Sequence, residues 1–144
     1  MHFNVSTCYG MQIILYLSRN SRIISSTELS ETLHISQRYI LHIAKKLRDG
    51  SLIETHIGTH GGYTLNTEAS CISVYDVIFL LEGDTHIPNC MNNCDCNTLY
   101  SALFEMKNCM DTYFKALTFD QMAKNDMSGK NAEILSLVED VVNL

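Results

Sequence analysis

The stretch from Ser36 to Gly50 constrains the chain most. Ser36 stands where an N-cap side chain accepts from the first backbone N–H groups of a helix, and Gly50 stands where a helix running to Asp49 can stop. Projected at about 100° per residue, Ile40, Ile43, Ala44 and Leu47 fall on one face. Gln37, Arg38, Leu41, His42, Lys45 and Arg48 fall on the other. The first face is core, and the second is available to a partner.

The segments flanking this helix set the fold class. Within residues 8–19, Met11, Ile14, Leu15 and Leu17 recur near helical spacing, and Asn20-Ser21 ends that first helix. Ser25-x-x-Glu28 is a capping-box arrangement that opens a short second helix, with a turn at His34-Ile35 after it. After Gly50 come two β-like runs, residues 52–57 and 63–65, on either side of Gly58-Thr59-His60-Gly61-Gly62, which reads as a glycine-rich hairpin tip. Helix, helix-turn-helix and hairpin in that order predict a mainly α fold, a winged helix-turn-helix with a small β-hairpin wing.

Beyond the wing, Val74, Val77, Ile78 and Leu81 predict a further helix stopped near Gly83. The next segment holds the only proline and Cys90, Cys94 and Cys96 among Asn89, Asn92, Asn93 and Asp95, so it reads as a loop. Leu99, Leu103, Met106, Met110, Tyr113 and Leu117 then step by 4, 3, 4, 3 and 4, a heptad-like stripe. A long helix outside the N-terminal unit most simply packs against its own copy, which predicts a C-terminal dimerisation helix and a homodimer. Residues 132–144 read as a helical tail. The expected organisation is a DNA-binding domain over residues 1–83, a cysteine-rich cluster loop over 84–97, and the dimerisation helix with its tail over 98–144.

Hydrophobic residues at 46% and charged residues at 18% support a packed core and exclude wholesale disorder. The sequence lacks the run of about 18 apolar residues a membrane span needs and lacks signal-peptide features, so a cytoplasmic protein with no membrane partner is expected. Six cysteines in such a chain point to metal binding or redox chemistry rather than disulfide staples. Charge is unevenly placed. Arg19, Arg22, Arg38, Lys45, Lys46 and Arg48 against Glu28, Glu31, Asp49 and Glu54 leave residues 1–65 at +2, and the remainder carries −8, for a total of −6. Such a division permits DNA contact on one side.

DNA recognition needs a helix that enters the major groove, side chains that bond base edges, and cations for phosphate. Ser36, Gln37, Arg38, Tyr39 and His42 lie at the start of the candidate helix, Lys45, Lys46 and Arg48 can meet phosphate, and Thr59 and His60 occupy the wing tip. The alternative is an ordinary solvated helix face. Thiolates at Cys90, Cys94 and Cys96 suit an iron-sulfur cluster or zinc, and free loop thiols are the alternative. Cys8 reads equally as a ligand or as a small, partly buried residue of the first helix; Cys71 reads as structural and Cys109 as packing. No Ser-His-Asp order, phosphate loop or paired-carboxylate motif is present, so an enzyme is not expected.

Residues 1–83 resemble the winged-helix module of the iron-sulfur cluster regulator family, the IscR-, NsrR- and CymR-like transcription factors. The resemblance is carried by Tyr9-Gly10, Ile35-Ser36-Gln37-Arg38-Tyr39-Ile40, Lys46-Leu47-Arg48-Asp49-Gly50-Ser51-Leu52-Ile53, Gly61-Gly62-Tyr63-Thr64-Leu65, Ile72-Ser73-Val74-Tyr75-Asp76-Val77 and Leu81-Glu82-Gly83. It implies a homodimeric regulator of a double-stranded DNA operator, a repressor, controlled by an iron-sulfur cluster of two or four irons that senses redox state, nitric oxide or iron status. It also implies Cys90, Cys94 and Cys96 as ligands, with Cys8 of the partner subunit at the place where some members supply a fourth. Two departures stand out. The wing reads His56-Ile57-Gly58-Thr59-His60 where the family commonly has a cation and a proline, and Cys90-x3-Cys94-x-Cys96 is tighter than the usual spacing. Two alternatives therefore stay open: a clusterless thiol switch among Cys90, Cys94, Cys96 and Cys109, and a zinc-stapled module acting through a protein partner.

Overall fold

Burial of one helix seam decides how the elements are arranged. The computed structural model describes residues 3–84 and 97–124. Helices α1 (Val5–Arg19), α2 (Ser26–Leu33) and α3 (Gln37–Asp49) lead into strands β1 (Ile53–His56) and β2 (Gly62–Leu65), then α4 (Val74–Glu82), α5 (Asn97–Ala116) and the short α6 (Phe119–Ala123). Ile40, Ile43, Ala44 and Leu47 of α3 are buried against a core that includes Ile13, Ile14 and Leu17 of α1 and Val77 and Ile78 of α4. Helix α1 begins earlier than the periodicity indicates, because Val5 is exposed and adds nothing to the apolar stripe.

The helix-turn-helix forms through local hydrogen bonds. Ser25 Oγ accepts from the Glu28 N–H at 3.1 Å, and Ser36 Oγ accepts from the Tyr39 N–H at 3.4 Å, so both helices are capped where expected. Between them His34 adopts the left-handed region at φ 56°, which brings the Ile35 N–H to the Ser30 carbonyl at 3.2 Å. Ser30 Oγ donates back to the Ile35 carbonyl at 2.6 Å, and Ile35 is buried as the pin of the turn. Arg22 pairs with Glu28, which also accepts from the Tyr16 hydroxyl at 2.9 Å, so the end of α1 is tied to the first turn of α2. The hydrogen bond from Arg22 holds the Glu28 carboxyl below its ordinary range.

Gly50 ends α3, but for a reason other than left-handed freedom. Its φ is −85°, and the left-handed residue is Ser51 at φ 60°. A β-carbon at Gly50 would strike the Leu80 side chain of α4, so the position is glycine because two helices meet there. The wing is antiparallel, with Ile53 opposite Leu65 and His56 opposite Gly62. Ile24, in the link from α1 to α2, adds a third edge by exchanging backbone hydrogen bonds with Tyr63 at 3.0 and 2.8 Å. That edge occupies the space a side chain on Gly62 would need. Ser73 and Asp76 form a reciprocal capping box at the start of α4.

Helix α5 departs from the expected stripe. Leu117 lies past the end of α5, and its carbonyl accepts from the Val74 N–H at 2.9 Å, while the Phe119 N–H donates to the Ile72 carbonyl at 3.0 Å. Leu117 and Phe119 are both buried in the same core as the apolar seam of α3. The last step of the 4-3-4-3-4 pattern is therefore a core contact, made because the chain folds back onto α4 rather than continuing as helix. Tyr113, Phe114 and Ala116 also pack on this core, whereas Leu99, Phe104 and Met106, toward the other end of α5, are exposed. The cysteine-rich segment with Cys90, Cys94 and Cys96, and the predicted tail helix over 132–144, lie outside the described residues.

Phe119, 1% exposed, fills the space beneath α1. Phe119→Ala is expected to lower the unfolding free energy by about 3–5 kcal/mol in a denaturant titration. A loss under about 1 kcal/mol, small for a buried aromatic, would show that α6 does not seat in this core.

Candidate nucleic-acid interface

With its apolar seam turned inward, α3 presents Gln37, Arg38, Leu41, His42, Lys45, Lys46 and Arg48 to solvent. Among the described residues Arg38, Lys45 and Lys46 make no ion pair, so their charge is available to an anion. Arg48 is different: its guanidinium meets Asp49 at 3.0 Å. Both groups are about half exposed, so a phosphate in reach would compete for that arginine.

Three residues of the expected set, Ser36, Gln37 and Tyr39, are engaged within the fold. Gln37 turns its amide to α2, with Nε2 donating to Ser26 Oγ at 3.0 Å and Thr27 Oγ1 at 3.2 Å. That contact fixes the angle between the two helices and leaves the amide oxygen as the free acceptor. Tyr39 is half-buried: its ring stands edge-on to Tyr9 at 5.6 Å and its hydroxyl lies 3.1 Å from Ser6 Oγ. It anchors α3 to α1 and carries His42 beside it, ring centres 6.1 Å apart. Ser36 is exposed, but its hydroxyl is committed to the cap.

Thr59 and His60 are exposed at the wing tip, where Gly58 takes a φ of 124°. The structure adds two residues that charge-based reading passes over. Leu41 is 49% exposed in the middle of the outward face of α3, and Ile57 is 98% exposed where β1 enters the tip. The available signal was negative: an apolar residue on the polar side of an amphipathic pattern.

The described cysteines are scattered. Cys8 and Cys71 are exposed, and Cys109 is half-buried on α5. The partly buried reading of Cys8 does not hold, because Thr7 and Gly10, not Cys8, face inward at the start of α1. Cys71 sits exposed in the 3-10 turn Ala69–Cys71. No group of three His, Cys, Asp or Glu side chains that could hold a metal occurs among the described residues. What α1 offers is an exposed thiol, and the Asn4 N–H donates to Glu82 Oε1 at 2.7 Å, which places the start of α1 against the last residue of α4.

Residues 3–125 match the family model Rrf2, described as an iron-dependent transcriptional regulator. The chain belongs to the Rrf2 family of transcriptional regulators. Among Rrf2-type relatives, it is 30% identical over 77 residues to the HTH-type transcriptional regulator CymR of Bacillus subtilis, covering 52% of this chain and 56% of that protein. It is 35% identical over 69 residues to the HTH-type transcriptional regulator IscR of Vibrio atlanticus, covering 48% and 40%. The matched stretch thus spans about half the length of the curated relatives. The structure of CymR, the global cysteine regulator of B. subtilis, superposes with a TM-score of 0.79 at 20% identity, over 87% of this chain and 98% of that one. At that identity the likeness concerns the fold: a mainly helical winged helix-turn-helix. The Rrf2 family and these relatives are transcriptional regulators, not enzymes. Among the described residues, no helix is long and apolar enough to cross a membrane.

Proposed function

We propose that this Rrf2-family chain is a cytoplasmic homodimeric repressor that binds a double-stranded DNA operator through α3 and the wing, under the control of an iron-sulfur cluster. The observation that carries the DNA-binding part is the outward face of α3, where Arg38, Lys45 and Lys46 stand exposed, with no ion-pair partner among the described residues, above a fully buried apolar seam. Arg38, near the N-terminal end of α3, bonds a base edge, with His42 beside it. Lys45, Lys46 and Arg48, farther along, meet phosphate, and Thr59 and His60 bring the wing to the backbone. Ser36, Gln37 and Tyr39 hold the helix at its angle through the cap, α2 and α1 respectively.

Cys90, Cys94 and Cys96 would hold the cluster, with Cys8 of the partner subunit as the fourth ligand, and the outward thiol of Cys8 fits a ligand offered to another chain. A bound cluster supplies a thiolate-held iron centre that oxidants and nitric oxide attack. The chain's own residues carry any change at these cysteines to the DNA-binding head. At one end, Asp84 pairs with Lys107 of α5 at 3.6 Å, and Lys107 also holds Asp111 at 2.7 Å. The Asp111 hydrogen bond raises the Lys107 pKa above the ordinary lysine value. On the head side, Glu82 holds the start of α1. A shift of α5 between two copies moves the two α3 helices, which must fit half-sites about one helical turn apart.

The likeness to CymR, described as a cysteine regulator, favours a second reading without a cluster, in which Cys90, Cys94, Cys96 and Cys109 oxidise among themselves.

Two measurements test these readings. A duplex selected in vitro by the parent should bind Arg38→Ala more weakly by about 10- to 100-fold, the range of a lost bidentate base contact. Unchanged binding and footprint would remove Arg38 from the interface. Oxygen-free purification with iron, sulfide and zinc quantified per chain should give a coloured protein holding iron and sulfide, and Cys8→Ala should weaken that occupancy. A colourless, metal-free protein with full DNA affinity would leave the thiol switch, and bound zinc without sulfide would leave the zinc-stapled module.

A further inference from the structure

Leu41 is the apolar member of a face that is otherwise donors, acceptors and cations. Arg38, one turn before it, and Lys45, one turn after it, share that face, so a duplex held by these cations lies directly over the leucine. Half of its surface is exposed, on the side of α3 away from the buried seam. On a surface built for solvent alone, a Gln or Lys would keep the helix propensity without exposing the isobutyl group. In the major groove an apolar side chain has one apolar partner on the base edges, the C5-methyl group of thymine.

We infer that Leu41 is a specificity-determining residue that reads a thymine methyl at one position in each half-site. The inference rests on the DNA-binding reading above and adds to it a base and an atom. Arg38 and His42 flank the leucine and bond neighbouring base edges, and Lys45 sets the depth of the helix through the phosphates. The contact is desolvation alone: a methyl and an isobutyl group leave water together, and no hydrogen bond is made or broken at that base.

The test uses the full chain and a duplex selected by the parent from random DNA. Thymines in the protected half-sites are replaced one at a time by uracil, which removes the methyl and keeps the pairing. One position per half-site should lose about three- to five-fold in affinity, the worth of one buried methyl-sized group. Leu41→Ala, which keeps a good helix former at an exposed site, should melt like the parent, bind the thymine duplex more weakly by about five- to twenty-fold, and be indifferent to uracil at that same position. Its own selected site should no longer require thymine there. Equal uracil losses in parent and variant, no uracil-sensitive position, no thymine in the selected half-sites, or an unchanged affinity of Leu41→Ala would each overturn the assignment while leaving DNA binding intact. Failure of the parent to select any duplex would instead overturn the DNA-binding reading, and this inference with it.

Discussion

Everything on the recognition side of this molecule depends on the buried seam of α3. Ile40, Ile43, Ala44 and Leu47 are at most 1% exposed, packed into the core shared with α1 and α4. Each large aliphatic side chain buried this way contributes roughly 1.5–3 kcal/mol. Rotating α3 by even one residue position would put Leu41 or Lys45 inward and bring an isoleucine out. The cations are therefore held outward by the cost of exposing the seam, not by contacts of their own. Close approach of α4 is part of the same constraint. Gly10 and Gly50 are small where Leu81 and Leu80 press against α1 and the end of α3.

A second set of contacts joins this head to the chain beyond the cysteine-rich segment. Leu117 and Phe119 return to the head core, backbone hydrogen bonds link them to Val74 and Ile72, and Lys107 reaches Asp84. The helix-turn-helix and the end of α5 thus share one packing unit. The exposed apolar residues near the start of α5, Leu99, Phe104 and Met106, are left for a second copy in the proposed dimer. On this arrangement, a change in how two α5 helices meet is passed to the heads through packed side chains rather than through a flexible tether.

The parts legible in the sequence were those governed by local rules. Ser25 and Ser36 cap because a hydroxyl before an amphipathic run has few better uses, and the inward face of α3 follows from its period alone. The bridge from Ile24 to Tyr63 and the return of Phe119 to the core were not legible, since both depend on partners far along the chain. Gly50 was placed well for a reason that tertiary contact replaced, because Leu80 needs the space and Ser51 takes the left-handed turn. Of the candidate interface, the cations were read directly from type and face. The inward commitments of Gln37 and Tyr39 were not, because a polar side chain at a helix start serves a neighbouring helix as readily as a base.

In the proposed complex, DNA lies on the outward face of α3 and not on the acidic C-terminal part of the chain. Acetylation of lysines in the full protein, with and without a selected duplex and read by mass spectrometry, tests it in one experiment. DNA should protect Lys45 and Lys46, while the exposed Lys115 and Lys124 react as before. Protection of Lys115 and Lys124 with Lys45 and Lys46 left reactive would contradict it.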